Sequence, residues 1–477
     1  MKRLAALVLP AIRWDPAAGF EPALPAVEAA LALGVGGFIV FGGERGAVRA
    51  LTRRIASAAP HPLLVASDFE RGAGQQVAGL TALPPAMAVA SLGEPALAEA
   101  AAITAAEARD VGVAWAFAPV ADLDAEPSNP IVQTRALGAD PDTVGRAAAA
   151  WVASCQAAGV LACAKHFPGH GRTTADSHDA LPAVAAPRAA LEADLAPFRR
   201  AVAAGVAGVM TAHVAYPALD PSGVAATHSR PILDGLLRRE LGFDGLVVTD
   251  ALIMEGAVRG TGEREGAVRA LAAGCDLLLY PRDVAGVVDA IEAAAASGAL
   301  DARRLEASLA RRRTASGRAA APHPLDDAAL ARHRERAGAL ARAAVRLERG
   351  EARAVRGAVD LVVVDDDAGG AYPVPPRTAF AEALAARGVR VEGGGGGGGG
   401  GERVVVVFAE VRGSKGRAAL SAESRRRLAE ALAAPATVVL CAHPRLAAEI
   451  PGRGPVWCAW SGDVVMQRAA AERLLAP

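Results

Sequence analysis

The sequence has no closely spaced cysteine pair and no net charge, and each absence excludes a class of function. Its 51 basic and 51 acidic residues cancel, so no long-range field would draw it to nucleic acid or an anionic membrane. The five cysteines form no CxxC pair and no framework spacing, which favours reduced thiols in a cytosol over disulfides or a cysteine-bound metal. We therefore expect a small neutral or mixed-charge substrate, and no nucleic-acid, membrane or protein partner.

The chain also lacks an apolar run near the ~20 residues that a membrane-spanning helix needs. Its first residues superficially resemble a signal peptide, because two basic residues precede an apolar run. That run, Leu4 to Ala11, is short, the charged Arg13 comes soon after it, and no small-residue cleavage site is present. We interpret the segment as a first β-strand and expect a cytoplasmic protein.

Eight short apolar runs alternate with Ala-rich helical stretches over residues 1–315. Each run is continuous rather than alternating, as in parallel strands covered on both faces, and the intervals are long enough for crossover helices. The pattern predicts a (β/α)8 TIM barrel. The runs are Leu4–Ile12, Gly36–Phe41, Leu63–Ser67, Ala114–Val120, Val160–Ala164, Gly208–Ala212, Gly245–Thr249 and Asp276–Tyr280.

A proline-containing linker is predicted at residues 316–325, followed by a smaller C-terminal α/β domain at residues 326–477. That domain is indicated by three further buried-type strands among helical patterns, at Val359–Val364, Arg403–Phe408 and Thr437–Cys441. A glycine run from Gly393 to Gly401 has no side chains to pack and is interpreted as a flexible loop. A phosphate-binding loop is the alternative, although no Lys or Ser/Thr closes the run as in a P-loop.

The segment KHFPGHGRTTADSH, Lys165–His178, follows the fifth run and contains three of the nine histidines. The chemistry of a TIM barrel lies at the C-terminal ends of its strands, and the proline and glycines here disfavour a helix. We therefore expect a long mobile loop over the barrel mouth. Asp176 can place a carboxylate beside the imidazole of His178, which suits a general acid/base that works near neutrality.

Two other interpretations of these histidines stay open. They can be solvated or structural groups, or His166, His170 and His178 can bind zinc. A barrel metallohydrolase usually supplies an HxH pair after its first strand, and this chain has none there. We expect neither a metal nor another cofactor.

Charged side chains also follow the third and seventh runs. Asp250 ends the seventh run, where a carboxylate suits attack on an anomeric carbon, although an aspartate there is also a common helix N-cap. Asp68, Glu70 and Arg71 follow the third run. A carboxylate and a guanidinium at a pocket rim can bind sugar hydroxyls, or they can form a structural salt bridge.

With these segments the chain resembles glycoside hydrolase family 3, and within it the NagZ-type β-N-acetylglucosaminidases. The motif KHFPGHGRTTADSH carries the resemblance, and the supporting segments cover most of the predicted barrel. They are SNPIVQTRALGADP (Ser128–Pro141), MTAHVAYPALDP (Met210–Pro221) and ELGFDGLVVTDALIMEGA (Glu240–Ala257). The chain departs from the family at Gln76 and Ala251, where many members carry arginine and aspartate.

The resemblance implies a retaining, two-step removal of terminal β-linked N-acetylglucosamine (GlcNAc). Asp250 would be the nucleophile, and His178, backed by Asp176, would be the acid/base. The implied natural substrate is GlcNAc-β-1,4-anhydro-N-acetylmuramic acid from cell-wall turnover. The substrate-binding residues implied by the resemblance are Asp68, Arg135, Lys165 and His166. We expect Arg71 and His213 to bind substrate as well.

Three alternatives accompany this hypothesis. The first is phosphorolysis, because a histidine acid/base, unlike a carboxylate, does not repel an incoming phosphate. The others are a non-catalytic sugar-binding barrel and a metal-dependent hydrolase. Broader hexosaminidase action on chitobiose or glycoproteins also fits the sequence.

Overall fold

Nine strand segments form an N-terminal parallel barrel in the computed structural model, which describes residues 2–177, 181–258, 261–367, 374–393, 401–410 and 417–476. These segments are β1 (Val8–Leu9), β2 (Ala11–Arg13), β3 (Gly37–Phe41), β4 (Leu64–Ser67), β5 (Trp115–Ala116), β6 (Leu161–Phe167), β7 (Gly208–Thr211), β8 (Leu246–Thr249) and β9 (Leu278–Leu279).

The strands close into a ring. β2 to β8 form one parallel sheet in sequence order, and β9 pairs with β1. An additional bridge joins Val248 of β8 to Leu277, just before β9. β1 and β2 are one barrel strand interrupted at Pro10, which has no N–H to donate to the ladder. The predicted (β/α)8 barrel is confirmed.

Two strands differ from the predicted runs in ways that affect the site. Residues Arg3–Leu7 form a 3-10 helix, so the first barrel strand begins later than expected. β6 extends to Phe167, beyond the predicted end at Ala164. Lys165 and His166 consequently lie within a buried strand and not in a loop that follows it.

Helices cover the outside of the barrel and both faces of the second sheet. α5 shows how the sequence starts one, because the Asp140 side chain accepts a hydrogen bond from the Thr143 N–H at 2.9 Å and Pro141 takes the first turn. The segment Pro231–Glu240 is a π-helix. The α-helices are α1 (Leu24–Leu33), α2 (Arg45–Ala58), α3 (Ala86–Ala90), α4 (Glu94–Asp110), α5 (Pro141–Ala157), α6 (Arg188–Ala203), α7 (Glu255–Val258), α8 (Gly262–Ala273), α9 (Val284–Ala296), α10 (Ala302–Arg318), α11 (Asp327–Ala344), α12 (Ala379–Ala385), α13 (Ala422–Ala431) and α14 (Val464–Leu475). Within the described ranges, none of the helices combines the length and apolarity that crossing a bilayer requires.

A separate six-stranded sheet forms the predicted C-terminal α/β domain. Its order is β10-β15-β14-β13-β11-β12, and only β10 pairs antiparallel. Gly393 ends β12, and residues 394–400 of the glycine run lie outside the described part of the chain. The strands are β10 (Arg346–Arg349), β11 (Ala358–Asp365), β12 (Arg390–Gly393), β13 (Glu402–Phe408), β14 (Thr437–Cys441) and β15 (Val456–Cys458).

The two domains share apolar contacts. Met87, Ala88, Val132 and Ala136 of the barrel domain belong to the same buried cluster as side chains on one face of the second sheet. The second domain therefore packs against the loops that follow β4 and β5, on the mouth side of the barrel.

Candidate active site

A buried network of two cations and two carboxylates lies at the mouth ends of β4 and β6. The Lys165 ammonium is 2.8 Å from an Asp68 carboxylate oxygen and 2.7 Å from one of Glu70. Arg135 binds both oxygens of Glu70, at 2.9 and 2.8 Å. The structure thus brings together three residues predicted to bind substrate, with Glu70 at the centre.

These contacts fix the protonation of the network. Burial would raise the pKa of the Glu70 carboxyl, but Arg135 and Lys165 outweigh it and hold that pKa well below its ordinary value. Burial would lower the pKa of Lys165, but Asp68 and Glu70 raise it above its ordinary value. Both groups remain charged at neutral pH, so the network is a fixed set of donors and acceptors rather than a proton reservoir.

Asp122, which follows β5, binds two histidines: His166 within β6 and His170 just after that strand. Its two oxygens accept hydrogen bonds from the His166 main-chain N–H at 3.0 Å, the His166 ring at 2.7 Å and the His170 main-chain N–H at 2.6 Å. The contact orients the His166 imidazole so that its Nε2 atom points across the mouth. Our sequence interpretation missed Asp122, although a carboxylate directly after a predicted strand was a signal for it.

Asp250 lies at the mouth end of β8, as predicted. One of its oxygens accepts the Ala251 N–H at 2.7 Å, and the other is 4.0 Å from His166 Nε2. His213 lies beside it, with Nε2 3.2 Å from the Ala251 carbonyl and Nδ1 2.8 Å from the Thr227 hydroxyl. Burial lowers the pKa of His213, which favours its neutral form.

The segment that leads to the predicted Asp176/His178 pair is packed as far as Ser177. His170 contacts the Thr173 and Ser177 hydroxyls, each at 2.9 Å, and burial together with the nearby His166 lowers its pKa to about 4. Neutral His170 can accept one of these hydrogen bonds and donate the other. This packing contrasts with the long mobile loop expected for the segment.

Asn129 stabilises the same segment through hydrogen bonds to its main chain. Its amide nitrogen donates to the main-chain carbonyls of His170 and Thr173, both at 3.0 Å. A side chain at Gly171 would clash, because its Cβ atom would lie 1.7 Å from the Leu123 carbonyl oxygen. Asn129 was not singled out from the sequence, since its role depends on contacts across some forty residues.

Asp176 is buried beside Ser177, whereas His178 lies outside the described residues. The pairing of Asp176 with the His178 imidazole therefore stays a prediction from the motif.

Arg71 points from the barrel mouth into the second domain. Its guanidinium is 2.6 Å from Asp463 and 3.7 Å from Glu410. Burial and the neighbouring Asp463 raise the pKa of Glu410 to about 7, against the opposing effect of Arg71. The assignment of Arg71 to substrate binding stays a prediction, and its observed partners belong to a domain contact.

Comparisons with known proteins identify the family. Residues 21–314 match the family model described as the glycosyl hydrolase family 3 N-terminal domain. The chain belongs to glycosyl hydrolase family 3. It is therefore a glycoside hydrolase, and its barrel corresponds to the family's N-terminal domain.

A solved structure extends the likeness beyond the barrel, whereas the relatives found by sequence match about half of this chain. A beta-hexosaminidase of Thiobacillus denitrificans is 39% identical over 51% of this chain and 71% of its own length. A beta-N-acetylglucosaminidase/beta-glucosidase of Cellulomonas fimi is 37% identical over 54% of this chain, and the match spans only 47% of that protein. The structure of a family 3 beta-N-acetylglucosaminidase from a Paenibacillus strain superposes with a TM-score of 0.86 at 28% identity, over 99% of this chain and 96% of the other. Both domains therefore have counterparts in that structure.

Proposed function

We propose that this chain is a cytoplasmic, retaining exo-β-N-acetylglucosaminidase with Asp250 as its nucleophile and His178, assisted by Asp176, as its acid/base. The observation that supports this most is the position of Asp250, which faces His166 across a mouth lined by fixed charges. The names of the relatives support the GlcNAc preference.

The surroundings of four mouth carboxylates favour Asp250 as the nucleophile. Glu70 and Asp122 are almost fully buried and are saturated by cationic or N–H donors, which lowers their nucleophilicity. Asp68 is more exposed but accepts from Lys165. The Asp250 side chain is 21% exposed at the tip of its strand, where it can reach the anomeric carbon of a bound pyranose.

In the proposed first step, Asp250 attacks the anomeric carbon while His178 protonates the leaving oxygen. The bond from carbon to the leaving oxygen breaks and a covalent glycosyl-enzyme forms. In the second step His178 removes a proton from water, which displaces Asp250 and releases GlcNAc with its original β configuration. Asp176 would stabilise the imidazolium that donates the proton in the first step and that forms again when His178 takes the proton of water in the second.

The charged network supplies the contacts for the sugar that is removed. Lys165 and Arg135 can donate to hydroxyl oxygens, and Asp68 can accept from hydroxyl hydrogens. His166 lies at the same site, and its Nε2 atom can hydrogen-bond to a ring substituent. His213 is fully buried with both ring nitrogens hydrogen-bonded, so a direct contact with the sugar would require its ring to change partners. The proposed natural substrate is GlcNAc-β-1,4-anhydro-N-acetylmuramic acid, from cell-wall turnover.

Product analysis tests the reaction. The full-length protein is incubated with GlcNAc-β-1,4-anhydro-N-acetylmuramic acid and with chitobiose, each with and without inorganic phosphate. Free GlcNAc, formed initially as the β anomer at a rate independent of phosphate, is the expected product. GlcNAc-1-phosphate would instead identify a phosphorylase, and an initial α anomer would contradict retention.

The D250A variant tests the nucleophile. We expect kcat on an aryl GlcNAc glycoside to fall by roughly 10³-fold or more, because no covalent intermediate can form. The matched control is D244A, since Asp244 is an exposed aspartate just before β8 and its replacement should leave kcat unchanged. An equally low turnover in wild type and D250A would favour a non-catalytic sugar-binding barrel.

A further inference from the structure

Three side chains form a cationic and aromatic cluster at the mouth ends of the first, second and last barrel strands. The Arg13 guanidinium carbon lies 4.4 Å from the centre of the Phe41 ring and 5.2 Å from that of Tyr280. The two rings are 5.7 Å apart, and Arg13 Nε donates a hydrogen bond to the Tyr280 hydroxyl. We call these three residues the rim cluster.

Strand register places the rim cluster beside the sugar site. Arg13 pairs with Phe41, and Ile39 pairs with Ala66, so that Phe41 is level with Asp68 two residues further on. Because neighbouring strands lie about 4.8 Å apart, Phe41 borders the group that is proposed to bind sugar hydroxyls.

The other side of the rim cluster adjoins the nucleophile. Leu279 accepts a hydrogen bond from the Leu252 N–H at 2.9 Å and donates its own N–H to the Thr249 hydroxyl at 2.9 Å. Tyr280 therefore follows directly on a residue that is bonded to both sides of Asp250. The rim cluster thus fills the arc of the mouth between Asp250 and Asp68.

Arg13 differs from the other cations of the mouth in its ion pairing. Arg71, Arg135 and Lys165 each form an ion pair. Arg13 is exposed, and among the described residues no carboxylate lies within ion-pair distance of it and no hydrogen-bond acceptor contacts its Nη atoms. Stacking against two rings restricts the guanidinium plane, so its two Nη groups are available to a ligand from a preformed position.

We propose that the rim cluster is the aglycone subsite and that it selects a leaving-group sugar that carries a carboxylate. A guanidinium binds a carboxylate with two parallel hydrogen bonds, and the half-buried rings of Phe41 and Tyr280 can pack against the C–H face of the sugar. The inference rests on the proposed GlcNAc hydrolase activity and its proposed muramic acid leaving group, and it adds the residues that recognise that group.

The test compares leaving groups that differ only in charge. The substrates are GlcNAc-β-1,4-anhydro-N-acetylmuramic acid, whose lactyl group is a carboxylate, and its uncharged methyl ester. Wild type and R13Q are assayed on both. We expect R13Q to lose about tenfold in kcat/KM on the acid, mainly through KM, and less than twofold on the ester. R13K should restore only part of the loss, because an ammonium cannot bind the carboxylate through two parallel bonds.

One further substrate identifies which carboxylate is bound, and one further variant serves as a control. A substrate whose lactyl group is amidated by a tripeptide separates the lactyl carboxylate from the peptide carboxylates, and R13Q should affect it as little as the ester. The control R54Q alters an exposed arginine that pairs with Glu28 on the barrel surface. It should leave kcat/KM unchanged on both the acid and the ester.

The outcomes keep the two proposals apart. If wild type releases GlcNAc from both substrates but R13Q lowers both equally or neither, the subsite proposal is wrong and the hydrolase proposal stands. If wild type releases GlcNAc from no substrate, the hydrolase proposal itself fails. A thermal midpoint of R13Q equal to that of wild type would show that the loss on the acid is not a folding defect.

Discussion

Because Glu70 is buried between two cations, we predict that the conservative substitution E70Q lowers the free energy of unfolding substantially. The substitution keeps the shape of the side chain but removes the negative charge that Arg135 and Lys165 share. The side chains of Glu70 and Lys165 are only 5% and 3% exposed, so water cannot replace the lost charge. Removing one partner of a buried ion pair costs about 3–5 kcal/mol. Because Lys165 keeps its contact with Asp68, we expect a value near the lower end, about 3 kcal/mol.

Urea unfolding of the full-length protein measures this effect, and E28Q is the matched control. Glu28 also pairs with an arginine, but both partners are more than half exposed, and such pairs contribute about 0–1 kcal/mol. We expect the midpoint of E70Q to fall well below that of E28Q. Activity should fall too, because Lys165 and Arg135 would lose the partner that orients them.

The pH dependence gives a second and independent check. The folded pKa of Glu70 lies below its ordinary value of 4.5, so its stabilising contribution is fully present above about pH 4.5 and is lost as the pH falls toward the folded pKa. The difference in stability between wild type and E70Q should therefore be constant near neutrality and shrink below pH 4.5. Equal midpoints for E70Q and E28Q, or a difference that grows in acid, would refute the electrostatic reasoning.

Two further predictions concern the packed segment before His178. Burial and His166 lower the pKa of His170 to about 4 from 6.5, so the unfolded chain binds more protons between these values and stability falls as the pH drops from 6.5 to 4. In H170N this contribution to the loss of stability should be absent. Thermal midpoints of wild type and H170N at pH 7 and pH 5 measure it. S177A deletes the hydroxyl that contacts His170 and should lower kcat by about tenfold with little change in KM, because the acid/base loses its support while the sugar contacts remain. A rise in KM with unchanged kcat would contradict this role.

The barrel could be predicted from the sequence because each buried parallel strand is a continuous apolar run. The exact strand ends could not. Pro10 splits the first strand, and β6 continues through His166 because Asp122, more than forty residues earlier, binds the main chain there. Such a contact has no local pattern, since it depends on which strands become neighbours in the ring.

Residue types at the mouth could likewise be predicted, but their partners could not. Asp250 follows the end of β8 as the pattern indicated, and Lys165 lies near the end of β6 but within the strand. The pairing of Glu70 with two cations, and of Arg71 with the second domain, requires distances between loops and domains that apolar periodicity does not encode. The contrast is physical, because periodicity reports which face of an element is buried and says nothing about what a polar side chain meets at its end.

The support of the proposed acid/base follows from contacts that end one residue before it. Ser177 is held through its hydroxyl by His170, and its carbonyl accepts the Gly256 N–H at 3.3 Å. Gly256 belongs to α7, which begins five residues after Asp250, so the segment before His178 is tied to the segment that follows the nucleophile. The described segment from Lys165 to Ser177 is therefore expected to keep its position when a sugar binds, because its displacement would break both contacts.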